Sequence, residues 1–374
     1  MASDYLWYLP THGDGRHLSA GAFHRGERGS KHRAPSLDYL TQVALAAEAG
    51  EFFGTLIPTG PYCEDAWAVA AAVSRYTKRL RSLVAFRPGF VLPAVAAQTV
   101  ATLQRFTENR LLLNVVTGGS SSEQRGYGDF LDHDARYERT DEFLSVVRGV
   151  WSGPGFEFEG KHYRVDNGGL VRALDPVPTI YFGGASAAAE RVAARHADVY
   201  LTWGETPPML VPRIASVRKQ AAAHGRNLRI GVRLHLISRD TEAEAWQEAQ
   251  RLLDGIPAGE IEHAQKQFAA SESVGQSRMV GLHHGKVGKA RELEVYPNLW
   301  AGIGLVRGGA GTAVIGSHEQ VAARIAEYEA LGVDTFIFSA YPNLEEAVRI
   351  GEDLLPLLAG KQRQRSELSL VGAS

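Results

Sequence analysis

Short apolar runs alternate with amphipathic segments along most of the 374 residues, and that alternation limits the chain to a small set of folds. Runs over 5–11, 55–59, 81–88, 110–117, 179–182, 199–203, 228–238 and 335–340 read as strands. Segments over 36–50, 64–76, 93–106, 136–151, 186–195, 207–224, 241–253, 319–331 and 344–358 carry helical spacing. Ser36 can cap the first of these helices, and Pro93 opens the third. Eight strands joined through helices suit parallel crossovers, and eight is the number that closes a (β/α)8 TIM barrel. The expectation is one α/β barrel domain over 1–374, with a hairpin at 156–165 and loops at 13–36 and 118–135. The periodicity lapses at about 256–311, which reads as the largest insertion, mobile and placed before the last strand. An open doubly wound sheet fits less well, because no Gly-x-Gly-x-x-Gly follows the first strand.

One strand says most about chemistry. In 228–238 the even positions are Leu228, Ile230, Val232, Leu234 and Leu236, while Arg229, Gly231, Arg233 and His235 hold odd ones. Residues two apart on a strand point the same way, so Arg233 and His235 look into one space above the small Gly231. A permanent cation beside an imidazole, away from the apolar layer, suits an anion-processing site. A salt-bridged edge strand would show the same pattern.

Composition removes several function classes. Net charge is −2 and the isoelectric point about 6.7, which gives no footprint for nucleic acid or a membrane surface. A single cysteine allows no intrachain disulfide and indicates a reducing compartment. The first residues lack a basic segment followed by an apolar one, so a cytoplasmic location is expected.

Barrel sites lie at the C-terminal ends of the strands. Read there, the chain offers His12, Cys63 with Glu64 and Asp65, Arg87, Asn114 and Thr117, Trp203 with Glu205, Arg233 with His235, and Tyr341. No metal-ligand spacing appears, and the adjacent His283 and His284 read as a solvated loop. Tyr181-Phe-Gly-Gly-Ala-Ser186 is a strand, two glycines and a helix N-cap, an arrangement that can cradle a phosphate or merely turn tightly. Cys63 with His235 as base would make a cysteine hydrolase, but nothing is visible to orient the imidazole. Gly308-Gly-Ala-Gly-Thr312 lacks the Lys-Ser/Thr of a P-loop and reads as a hinge carrying Arg307 toward the site.

These residues together resemble the bacterial alkanesulfonate monooxygenases, two-component flavin enzymes of the luciferase-like barrel superfamily. The matching segments are Trp7-Tyr-Leu-Pro-Thr-His-Gly-Asp-Gly15, Ile57-Pro-Thr-Gly-Pro-Tyr-Cys-Glu-Asp-Ala-Trp67, Tyr181-Phe-Gly-Gly184, Tyr200-Leu-Thr-Trp-Gly-Glu205, Val232-Arg-Leu-His235, Pro297-Asn-Leu-Trp-Ala-Gly302, Gly304-Leu-Val-Arg-Gly-Gly-Ala-Gly-Thr312 and Tyr341-Pro-Asn-Leu-Glu-Glu346, spanning almost the whole chain. The resemblance implies that FMN, delivered reduced (FMNH2) by a separate NAD(P)H-dependent FMN reductase, activates O2. An organosulfonate is then cleaved at its C–S bond to an aldehyde and sulfite. It also implies roles. Cys63 would lie near the flavin. Arg233 and Trp203 would grip the sulfonate, with His12 beside it and Arg307 arriving on the mobile segment. His235 and Tyr341 would transfer protons or hold substrate, and Asn114, Tyr137, Gly184 and Ser186 would bind FMN. A homo-oligomer, dimer or tetramer, is expected.

Two features depart from the family pattern. The chain stops soon after Leu358, and the loop at 16–35 is longer and more basic than simple alkane sulfonates require. Such donors suit a hydroxylated substrate, for instance sulfoquinovose, although a solvated arm would have the same composition. A deazaflavin-dependent oxidoreductase and a non-catalytic flavin-binding barrel are the competing readings.

Overall fold

A computed structural model describes residues 3–18, 32–285 and 288–360. Eight parallel strands close on themselves: β1 (Asp4–Tyr8), β2 (Gly54–Ile57), β3 (Arg81–Phe86), β4 (Leu111–Val115), β5 (Ile180–Gly183), β6 (Val199–Trp203), β7 (Arg229–Arg239) and β8 (Thr335–Ser339). β8 pairs with β1 through Asp4↔Thr335 to Trp7↔Phe338, and β6 pairs with β7 through Val199↔Arg229 to Trp203↔Arg233. The eight expected strands are the eight barrel strands, so the fold is a (β/α)8 TIM barrel.

Period-two alternation sorts each strand between two cores. Leu6, Leu56, Leu83, Leu112, Val199, Leu201 and Ile337 fill the barrel interior. Leu228, Ile230, Val232, Leu234 and Leu236, at most 2% exposed, instead face the helix layer. The odd positions of β7 therefore point inward, as the alternation predicts. Deleting the Leu234 side chain would cost about 2–5 kcal/mol, the usual range for a buried leucine.

β7 is the longest strand because it serves two sheets. Its first half pairs with β8 as far as Ser339↔His235, and from His235 onward it also pairs with the strand Ala313–Ser317. That strand leads antiparallel to Leu299–Trp300 and Glu294–Tyr296. His235 sits at the fork. A third core lies beneath this extension, with Trp246, Leu252, Trp300, Ile303, Ile315 and Tyr341.

The region at 256–311 is built, not patternless. It holds helices Glu260–Ala269 and Val274–His283, two 3-10 turns and the two short strands. These elements are too short and too specific in their packing to show a period of their own. The loop expected at 118–135 contains the helix Ser121–Gly126, capped by Ser120. The helix after β2 is Ala66–Val73 with Asp65 as its N-cap, shorter than expected at both ends. The last expected helix becomes Asn343–Arg349 followed by a π-turn at Ile350–Leu354. No helix among the described residues is long and apolar enough to cross a membrane.

Candidate active site

Polar side chains gather where the strands end, above the apolar filling of the barrel. They form two neighbouring groups.

The first lines a cavity of about 320 Å³, within the range of small-molecule sites. Asn114 from β4, Tyr137 from the helix His133–Trp151, Gly184 and Ser186 after β5, Trp203 from β6 and Arg233 from β7 all face it. Ser186 caps the helix Ala187–His196 by accepting from Ala189 N at 3.2 Å, leaving the other early amides of that helix toward the cavity end. A Cβ at Gly184 would stand 2.5 Å from Ala189 Cβ and 3.1 Å from the Tyr137 hydroxyl, so only glycine leaves the backbone open there. Tyr200 donates its hydroxyl to the Gly184 carbonyl and holds the turn. Burial pushes the Tyr137 phenol up, so it stays a neutral donor. Asn114 Oδ1 is buried without a hydrogen-bond partner among the described residues. Such an orphaned acceptor in a cavity wall is what a ligand N–H would satisfy.

The opposite wall comes from the insertion. Ser273, Val274, Gly275 and Gly309 line the same cavity. A Cβ at Gly275 would meet the Trp203 ring at 3.0 Å, so the backbone there packs closely against the indole. Arg136 reaches Glu272 at 3.2 Å, and Arg278 reaches the buried Glu205 at 3.3 Å. Glu205 also pairs with Arg213 at 2.7 Å. These pairs join the insertion to the barrel rim.

The second group lies beyond Arg233, which connects the two. The Arg233 guanidinium stands over the Tyr8 ring at 4.4 Å, and Arg307 stands over it at 5.3 Å. Arg307 Nη1 donates to the Tyr341 hydroxyl at 2.5 Å. His12 Nδ1 meets the Tyr8 hydroxyl at 3.1 Å. Burial lowers the Arg233 pKa, whereas for Arg307 the phenolic oxygens of Tyr341 and Tyr8 outweigh burial and raise it. His12 falls to about 3 through burial and then the charges of Arg307 and Arg233. His235 is 1% exposed and titrates well below its usual range for the same causes. Neither arginine has a carboxylate partner within ion-pair distance among the described residues, and Arg233 Nε has no hydrogen bond.

The remaining expectations separate. Cys63 is half-buried, its thiol pushed up by burial, and it makes no described hydrogen bond to His235. The cysteine-hydrolase arrangement is therefore not assembled. His283 is not in a solvated loop: it ends a helix, is 3% exposed, and its Nδ1 accepts from Gly285 N at 2.9 Å. Of the basic loop, Arg33 is held by Glu345 at 2.6 and 2.5 Å, and Arg16, His17 and His32 line a different cleft. Residues 19–31 of that loop lie outside the described residues. Sequence reading missed Tyr8, whose inward parity with Leu6 was available, and Ser339, a plain strand residue with no such signal.

A closed barrel with its polar cavity at the C-terminal strand ends defines an enzyme-type site of the TIM-barrel class. The luciferase-like monooxygenase family profile matches residues 5–335, and the chain belongs to that family. Among solved structures it resembles the EDTA monooxygenase of Chelativorans sp. BNC1, at 22% identity over 97% of this chain and 95% of that one, TM-score 0.75. It also resembles a long-chain alkane monooxygenase, at 19% identity over 97% and 92%, TM-score 0.77. The coenzyme F420-dependent tetrahydromethanopterin reductase of Methanopyrus kandleri matches at 14% identity over 96% and 99%, TM-score 0.67. At these identities the likeness is one of fold.

Proposed function

We propose that the protein is an FMNH2-dependent organosulfonate monooxygenase, releasing an aldehyde and sulfite. The observation that carries this reading is the pair Arg233 and Arg307: two guanidiniums over one tyrosine ring, without a described carboxylate partner, beside a cavity of about 320 Å³. Buried charge of one sign calls for an anion. A sulfonate offers three acceptor oxygens to two planar forks.

The residues present fit FMN. Gly184 and Ser186 at the start of the helix Ala187–His196 suit its phosphate, Asn114 Oδ1 suits a ring N–H, and Leu56, Ala85, Leu201 and Ile337 supply an apolar bed. When bound, the reduced flavin supplies two electrons to O2. One oxygen atom ends in the aldehyde and the other in water, while sulfite leaves with the C–S electron pair.

The chain's own groups do the rest. Arg233 and Arg307 hold the sulfonate, and their charges favour the more negative departing sulfite. The Tyr341 hydroxyl accepts from Arg307 and so helps hold that guanidinium in place. Trp203, backed by Gly275, excludes water from the cavity. The reduced flavin comes from a separate NAD(P)H-dependent reductase, the reaction takes place in the cytoplasm, and the protein acts as a homo-oligomer.

Mixing the protein with photoreduced FMN, air and a panel of sulfonates should release sulfite. No sulfite from any of them, with FMN bound, would overturn the assignment. The fold likeness to an F420-dependent reductase motivates a second reading, a deazaflavin oxidoreductase. That enzyme would oxidise its substrate without O2, so the same mixture run anaerobically with oxidised F420 separates the two.

A further inference from the structure

We propose that Ser339 and His235 are positioning residues that fasten the turn bearing Arg307 to the barrel, so that His235 sets the anion grip without itself exchanging a proton with substrate. The functional part of this inference rests on the reading of Arg307 as an anion-binding residue; the fastening itself does not.

The hydrogen-bond inventory of His235 fixes its tautomer. Its Nε2 lies 3.1 Å from the Ala310 carbonyl, which can only accept, so Nε2 carries the proton. Nδ1 is then the acceptor, and the Ser339 hydroxyl at 2.9 Å donates to it. Both ring nitrogens are committed, in a side chain 1% exposed that does not line the cavity. A base needs a free lone pair within reach of the proton it takes, and this imidazole presents none.

What His235 does reach is the segment that follows Arg307. The Ala310 carbonyl is three residues beyond that arginine, and the His235 backbone N–H donates to the Thr312 carbonyl at 2.9 Å. Thr312 in turn donates its hydroxyl to the Gly204 carbonyl at 2.6 Å. Gly311 is pressed against Gly304, whose N–H donates to the Gly311 carbonyl at 2.8 Å. From the other side the imidazole lies parallel to the Tyr341 ring, 5.6 Å between centroids at 10°, and Tyr341 accepts the bond from Arg307. One side chain therefore holds both the backbone of the turn and the partner of its guanidinium. Its place at the fork of β7 explains how: there the strand borders β8, which supplies Ser339, and the strand Ala313–Ser317, which follows the turn.

The test compares Ser339→Ala, His235→Gln and His235→Ala with the parent protein by two readouts. The first is amide hydrogen exchange across 304–312, which needs no substrate. The second is sulfite formation, separated into KM and kcat. Fastening predicts faster exchange in Ser339→Ala and His235→Ala, and KM for sulfonate raised about 3- to 10-fold in Ser339→Ala with the smaller effect on kcat. Glutamine keeps a donor for Ala310 but cannot titrate, so it should recover most of what alanine loses. His235→Gln as inactive as His235→Ala, with exchange across 304–312 unaltered, would overturn the proposal and restore a proton-transfer role. Altered exchange in a protein that releases no sulfite from any sulfonate would leave the fastening in place and remove the substrate reading instead.

Discussion

Arg233 faces the cavity from β7 and rests on Tyr8, and among the described residues no acid neutralises it. Its replacement by alanine should abolish desulfonation while FMN still binds, since a charge-assisted bond of this kind contributes roughly 1.5–3 kcal/mol, about 10–150-fold in affinity. Lysine should rescue poorly, because an ammonium lacks the planar fork. Steady-state kinetics with a flavin-binding titration check both, and parent-level turnover in Arg233→Ala would remove the residue from the site. His12 makes a second test at this scale. Its pKa falls from the ordinary 6.5 to about 3 in the folded chain, through burial and the arginine charges. Between those values the unfolded chain binds a proton that the folded chain does not, so stability rises with pH across this window and is lost as pH falls through it. Urea titrations from pH 7 to pH 4 should show this slope, and His12→Gln should make it shallower by up to one proton.

At the scale of elements, the turn after β5 and the insertion shape the cavity from opposite sides. Gly184→Ala should weaken FMN binding without unfolding the barrel, because the new Cβ would crowd Ala189 and the Tyr137 hydroxyl, and the turn must shift to relieve it. Flavin fluorescence quenching beside far-UV circular dichroism reads the two effects separately. We propose that the segment at 256–311 is the mobile part of the single domain. It touches the barrel rim through Arg136–Glu272 and Arg278–Glu205, each joining one buried and one exposed side chain, and through Gly275 on Trp203. When the rim contact parts, the buried Glu205 keeps Arg213 as its partner, and the turn at 304–312 stays fastened to His235. Limited proteolysis should cut the segment first, and reduced FMN with sulfonate should protect it. Equal cleavage with and without the ligands would count against a lid.

At the scale of the whole molecule, the proposed sulfonate reading leaves the carbon skeleton of the substrate to be tested. We propose that the donors of the basic loop at 16–35 favour a hydroxylated skeleton, since an alkyl chain would leave them unpaired at roughly 1–3 kcal/mol each, whereas sugar hydroxyls would satisfy them. Sulfoquinovose should then release sulfite faster than octanesulfonate, and shortening residues 20–33 should narrow the difference. Octanesulfonate ahead by about tenfold would dismiss the sugar skeleton and leave the anion grip untouched. The sequence by itself determined the eight strands, the helix layer and the inward face of Arg233, since each depends on a hydrophobic period set by neighbours along the chain. It also yielded the Gly-Gly-Ala-Ser turn, whose conformation is local. Only the tertiary structure decided that β7 forks at His235, that Tyr8 lies under two arginines, and that Ser339 bonds an imidazole 104 residues away. Contacts of that span arise from chain closure and packing, which leave no period in the sequence to read.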